Sequence, residues 1–194
     1  MVSISAPPVP LSQVGRAAHD VGLAGLLGGT LFGRVALHPS VTAISDSSER
    51  GQVVNAAWRR YGVINALSLA AVVSGWVGAR VDEGADRRLS PAERKLARAK
   101  DVLVGVVGVI GLATAAQGIA FSRTAPGGAV PLRDGDHAAP EADDRSKRSK
   151  RRVNALGIAS LAADTALVVV NAALEQRQHR RPALRRRIPL WGRT

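Results

Sequence analysis

The stretch VLVGVVGVIGLATAAQGIAF, residues 102–121, runs for twenty residues without a charge. At about 1.5 Å of rise per residue, an α-helix of that length covers roughly 30 Å, the hydrocarbon thickness of a bilayer. A helix in a soluble bundle keeps one face toward water, so polar residues return every three or four positions. Here no such face runs along the helix, and the stretch predicts a helix surrounded by lipid.

Three more apolar windows accompany it: VGLAGLLGGTLFGRVAL (21–37), GVINALSLAAVVSGWVGA (62–79) and VNALGIASLAADTALVVVNAAL (153–174). The mean hydropathy of +0.04 hides them, because it averages apolar runs with connectors such as DDRSKRSKRR. The pattern predicts an all-α fold, a four-helix transmembrane bundle with spans at about 17–38, 61–80, 102–122 and 153–174 within a membrane domain of residues 13–178. A flexible N-terminus (1–12), a polar loop (124–146) and a basic C-terminal tail (179–194) complete the expected organisation. Cysteine is absent, which removes disulfides and thiolate metal sites. The opening MVSISAPPVPLS has no charged n-region and the first apolar run ends on HPS, which argues against a removable signal peptide. Of 27 basic residues 23 are arginine, and with abundant Ala, Gly and Val this points to a GC-rich bacterial genome.

Two connectors carry helix starts. Ser90, Pro91 and Glu93 form S-P-A-E, with an N-cap hydroxyl, a first-turn proline and a glutamate placed to reach back to the cap amide. The third helix is therefore expected to begin near Pro91 and project from the membrane. Asp46 with Glu49 makes a similar start for the second, after which Trp58 and Tyr61 fall where an interfacial aromatic belt belongs. Between spans three and four, TAPGGAVPLRDGDHAAPEADD has no apolar period and reads as a flexible loop. A short repeat pairs AHDVGLAGLLGG (18–29) with AKDVLVGVVGVIG (99–111), and RRYGVINALSLA (59–70) with RRVNALGIAS (151–160). One reading of it is a duplicated helical hairpin.

Gly25, Gly29 and Gly33 lie four apart in GLLGGTLFGR. In lipid, association depends on close backbone approach, so such a stripe reads as a packing groove. Gly108, Gly111, Ala115 and Gly118 of span three offer a matching small face. Arg34 and Asp164 are the ionisable residues inside spans, where each costs roughly 2.5 to 3.5 kcal/mol at a helix centre unless it pairs, snorkels or lines a wet cavity. Counting from the span ends puts Arg34 about 9 Å and Asp164 about 16 Å deep on the same side, a gap within an arginine's reach. His38, Asn65, Gln117 and Asn154 fall in that same half. The expectation is a polar pocket around Arg34 and Asp164, against the alternatives of interhelical polar glue and a snorkelling Arg34.

No metal or cofactor site is expected. His19 and His38 are about 28 Å apart along one helix, and His137 and His179 lie in a loop and a tail. No Walker loop, H-E-x-x-H, G-x-S-x-G or paired carboxylates appear, so the enzyme case lacks a nucleophile or base with a placed partner. RSKRSKRR and the tail lack interleaved aromatics for base stacking, which disfavours nucleic acid and leaves the bilayer and its anionic lipid headgroups as the simpler partners. With both termini cytoplasmic, the inner side collects 15 basic residues against 11 outside, which favours that orientation in a plasma membrane.

HDVGLAGLLGGTLFG followed by HPSV and RGQVVNAAWRRYGVINALSLA resembles small actinobacterial integral membrane proteins with four predicted spans. The resemblance implies membrane location and fold, and transfers no catalytic residue. Two function classes follow: a structural or interaction protein, with homo-oligomers among its assemblies, packed through small-residue faces; or a small-molecule carrier or membrane enzyme using the Arg34/Asp164 pocket.

Overall fold

The computed structural model describes residues 11–82 and 90–179. The expected N-terminal arm, apart from its last two residues, and the basic tail beyond His179 lie outside the described residues. The described residues form four long helices: α1 (Leu11–Phe32), α2 (Ser47–Asp82), α3 (Pro91–Ser122) and α4 (Asp144–His179). All four are long and apolar enough to cross a membrane, over Gln13–Ala43, Ser47–Arg80, Pro91–Ser122 and Asp144–Arg177. At 31 to 34 residues these stretches reach about 47–51 Å, so each helix outruns the roughly 30 Å of hydrocarbon and projects into water.

The two helix starts have local causes. Ser90 Oγ accepts the Glu93 amide at 3.3 Å while the Ser90 amide donates to Glu93 Oε2 at 2.7 Å, a complete capping box with Pro91 in the first turn. At α2 the Glu49 amide donates to Asp46 Oδ1 at 2.7 Å. Each cap satisfies an amide that has no partner inside the helix, and contributes about 1 kcal/mol.

The chain makes two tight antiparallel hairpins, α1 on α2 and α3 on α4; α1 also packs on α4, and α2 on α3. The first hairpin closes on glycine. A Cβ at Gly15 would lie 2.8 Å from the Gly75 carbonyl oxygen, and one at Gly22 would lie 2.6 Å from that of Ser68. Further along, Gly25, Gly29 and Gly33 make room for the side chains of Ser68, Tyr61 and Trp58. The glycine stripe thus meets α2, where sequence reasoning had matched it to span three. Gly108 and Gly111 of α3 also face α2, at Val73 and Leu69, while Ala115 is exposed and nothing stands within 4 Å of Gly118. Between the helices lies an apolar core of Leu23, Leu26, Val72, Trp76, Val104 and Leu167.

The 124–143 connector is a packed cap, not the flexible loop its composition predicts. Val130 and Leu132 are fully buried and join Val41, Val54 and Phe121 in a second apolar cluster over one end of the bundle. The Leu132 amide donates to the Ser47 carbonyl at 2.9 Å and the Gly135 amide to the His38 carbonyl at 3.0 Å. Arg50 ties the cap further, donating to the carbonyls of Ile44 at 2.7 Å and Arg133 at 2.8 Å. Gly127 and Gly128 turn the chain with φ of 63° and 73°, a region where a side chain is strained.

Candidate functional site

Beneath the cap, α1 leaves regular geometry. Residues Gly33–Leu37 form a π turn, with the His38 amide donating to the Gly33 carbonyl. Pro39, which has no N–H to offer the preceding turn, supplies the cause. The widened turn carries Arg34 and His38 to the end of the bundle, where the cap, α2 and α4 meet them.

Arg34 donates through Nη2 to Asn154 Oδ1 at 2.7 Å and to the Asn154 carbonyl at 2.9 Å, and through Nη1 to Asp136 Oδ1 at 3.4 Å. His38 Nδ1 lies 2.9 Å from that same Asp136 oxygen, and its Nε2 lies 3.1 Å from Trp58 Nε1. An indole nitrogen only donates, so Nε2 accepts and the imidazole proton sits on Nδ1, donating to Asp136. Both ring nitrogens are thereby engaged. Trp58 also stacks edge-on against His38 and Tyr61, at centroid distances of 5.8 and 5.9 Å. Lys150 is buried beside this network, its ammonium 5.5 Å from the Phe121 ring centroid.

Cap chemistry holds Asp136 in place. Asp134 Oδ1 accepts the amides of Asp136 and His137, each at 2.8 Å, and the His137 ring nitrogen, also at 2.8 Å. Burial alone would raise the Asp134 carboxyl, but the bonds from His137, the two amides and Arg133 outweigh it and hold it down at about 2. Gly135 lies so close to His38 that a Cβ there would overlap the His38 backbone and ring.

The other end of the bundle carries a second polar cluster that the sequence reading missed. Asp101 accepts Trp76 Nε1 at 2.8 Å and Arg80 Nη2 at 3.0 Å. Lys100 is buried with its ammonium 4.1 Å from the Trp76 ring centroid, and donates to Asn171 Oδ1. Asn171 Nδ2 donates in turn to Asp20 at 3.1 Å and Glu175 at 3.0 Å. His19 is buried here and donates from Nδ1 to the Val72 carbonyl at 2.8 Å; its Nε2 has no hydrogen-bond partner among the described residues. Adjacent Lys100 and Asp101, immediately before an uncharged span, were the available signal.

Of the six polar residues singled out from sequence, the structure brings Arg34, His38 and Asn154 together. Gln117 instead donates to Ser149 at 3.1 Å. Asn65 is half-buried on α2. Asp164 does not pair with Arg34: it is 3% exposed in the bundle, within electrostatic reach of Tyr61, and has no hydrogen bond or ion pair among the described residues. Arg34 is drawn away by Asp136 in the cap, a partner that the flexible-loop reading had removed from consideration. Among the described residues no group of three or more His, Asp or Glu gathers as a metal site would. A shallow, open groove of about 390 Å³ is lined by Val102, Gly105, Val106, Val109 and Ile110, all on α3.

Fold and site together define a multi-pass helical membrane protein whose 124–143 connector is a folded cap. No protein-family model, curated protein or solved structure matches the chain.

Proposed function

We propose that the protein is a structural or interaction component of a plasma membrane, with cytoplasmic termini, related to the four-span actinobacterial proteins it resembles. In this reading the Arg34–Asp136–His38–Trp58 network is a lock that fastens the cap to the bundle. The observation that carries it is the engagement of both His38 nitrogens and of the Arg34 guanidinium by protein groups, which leaves that cluster no free base for chemistry. Assembly would use the exposed surface of α3, where among the described residues nothing lies within 4 Å of a Cβ at Gly105 or Gly118 and Ala115 is exposed, which permits close approach by a second copy. Cross-linking in native membranes tests this. Loss of oligomer from the pair Gly105→Leu and Gly118→Leu, with no loss from Asp164→Asn, supports it; a monomeric wild type overturns it.

A second reading, a small-molecule carrier or membrane enzyme working at Asp164, draws on one observation. A buried carboxyl in an apolar bundle, with no hydrogen-bond partner among the described residues, is expensive, and such intramembrane acids are commonly functional. A carbodiimide probe distinguishes the readings. Modification of Asp164 that leaves assembly intact and abolishes a transport activity favours the second.

A further inference from the structure

The charges of the capped end are stratified by depth. Acids outnumber bases in the outer layer, where Asp46 and Glu49 at the start of α2 and Glu141, Asp143 and Asp144 at the start of α4 stand with Arg50, Arg133, Arg145 and Lys147. Arginines occupy the layer nearest the hydrocarbon. Arg60 lies eleven residues, about 16 Å, inward of Glu49, and Arg152 eight residues, about 12 Å, inward of Asp144.

The arginine layer sits just outside the lipid-facing apolar belt. Arg60 is about 5 Å from the level of exposed Val63, Arg123 about 6 Å from that of Ile119, and Arg152 about 9 Å from that of Ile158. A bilayer's headgroup region extends roughly 5–8 Å beyond its hydrocarbon on each side, so Arg60 and Arg123 stand at phosphate depth and Arg152, just beyond it, reaches it with its long side chain. Arg59, Arg60, Arg123, Arg151 and Arg152 are all exposed, and none has a hydrogen bond or ion pair among the described residues. Arg34, near the same level but turned inward, is the contrast, because Asn154 and Asp136 consume its donors. The nearby acids are likewise committed within the cap: Asp134 to His137, Asp136 to Arg34 and His38, Glu141 to Ser47.

We propose that this arginine layer is a binding surface for anionic phospholipid headgroups, formed by α2, α3 and α4 around the capped end. Guanidinium groups fit phosphodiester oxygens through paired N–H donors, and the nearest acid, Asp136, is already engaged by Arg34 and His38. The uncommitted charge faces outward to lipid, while the acidic outer layer turns polyanions in solution away. The inference rests on the membrane-spanning fold and is independent of the assembly role.

Native mass spectrometry of the full chain released from detergent tests it, with phosphatidylglycerol, phosphatidylcholine and soluble glycerol phosphate as probes. The wild type is expected to retain phosphatidylglycerol over phosphatidylcholine. The variant Arg59→Gln, Arg60→Gln, Arg151→Gln, Arg152→Gln is expected to lose that preference by about fivefold per arginine at low salt. Arg145→Gln, in the outer layer, is expected to leave the preference unchanged, and glycerol phosphate to displace no lipid. The Arg59→Gln, Arg60→Gln pair repeats the measurement if the fourfold variant loses its helical circular dichroism. Equal retention of the two lipids, an unchanged preference in the folded variant, an equal loss in Arg145→Gln, or displacement by glycerol phosphate or a duplex oligonucleotide overturns the proposal. Failure of the membrane-spanning reading shows separately, as release of the chain from membranes by alkaline carbonate.

Discussion

At the scale of single residues, the decisive fact is which partner Arg34 finds. Its charge in an apolar run announces a buried interaction, and the depth count points to Asp164, but the carboxylate that reaches it is Asp136 from the cap. In a double-mutant cycle Arg34→Ala and Asp136→Ala should therefore couple by about 0.5 to 3 kcal/mol, whereas Arg34→Ala and Asp164→Ala should add to within about 0.5 kcal/mol. Thermal unfolding in detergent reads both. The hydrogen-bond order of the network makes a second, spectroscopic prediction. Nitrogen NMR of His38 should show the Nδ1-protonated tautomer, and Trp58→Phe should remove the donor that fixes it. A His38 found with its proton on Nε2 would contradict the network. Arg34, His38 and Asn154 were legible as a group because polar residues are rare in lipid-facing sequence. Asp136 was not, because a carboxylate in a Pro, Gly and Asp-rich connector looks like any solvated loop acid.

Elements show how far pattern carries. The helix starts at Asp46 and Ser90 were readable from cap chemistry, since an N-cap and its N3 glutamate are local in sequence. The glycine stripe was readable as a packing face, but its partner was not: small residues permit close approach by any neighbour, and the antiparallel register of α1 on α2 depends on the whole hairpin. Substitution separates glycines that touch backbone from those that face open space. Gly22→Leu drives a side chain into the Ser68 carbonyl and should cost about 1–3 kcal/mol or more in stability. Gly118→Leu, with nothing within 4 Å, should leave monomer stability nearly unchanged. The cap escaped the sequence reading because its apolar content is small. Val130 and Leu132 are two residues among many polar ones, yet both are fully buried.

For the whole molecule, the account joins a lipid-facing bundle to a water-facing cap through one polar seam. Acid should weaken that seam in a defined window. Asp134 is held down at about 2, while Glu141 and Asp143 are lowered by bonds from Ser47 and from the Ser146 amide. Groups depressed in the folded state stabilise it above their unfolded values near 4 and lose that contribution as pH falls toward 2. Cap cleavage by pepsin should therefore rise between about pH 4 and pH 2, before the spans themselves unfold. The most direct test of the seam is amide hydrogen exchange across residues 124–143 in lipid nanodiscs at neutral pH, comparing the wild type with Asp136→Ala. The account predicts strong protection of the Leu132 and Gly135 amides in the wild type, where both donate to carbonyls of the α1–α2 hairpin, and its loss around Gly135 in the variant. Exchange of these amides in the wild type at the rate of an unstructured loop would contradict it.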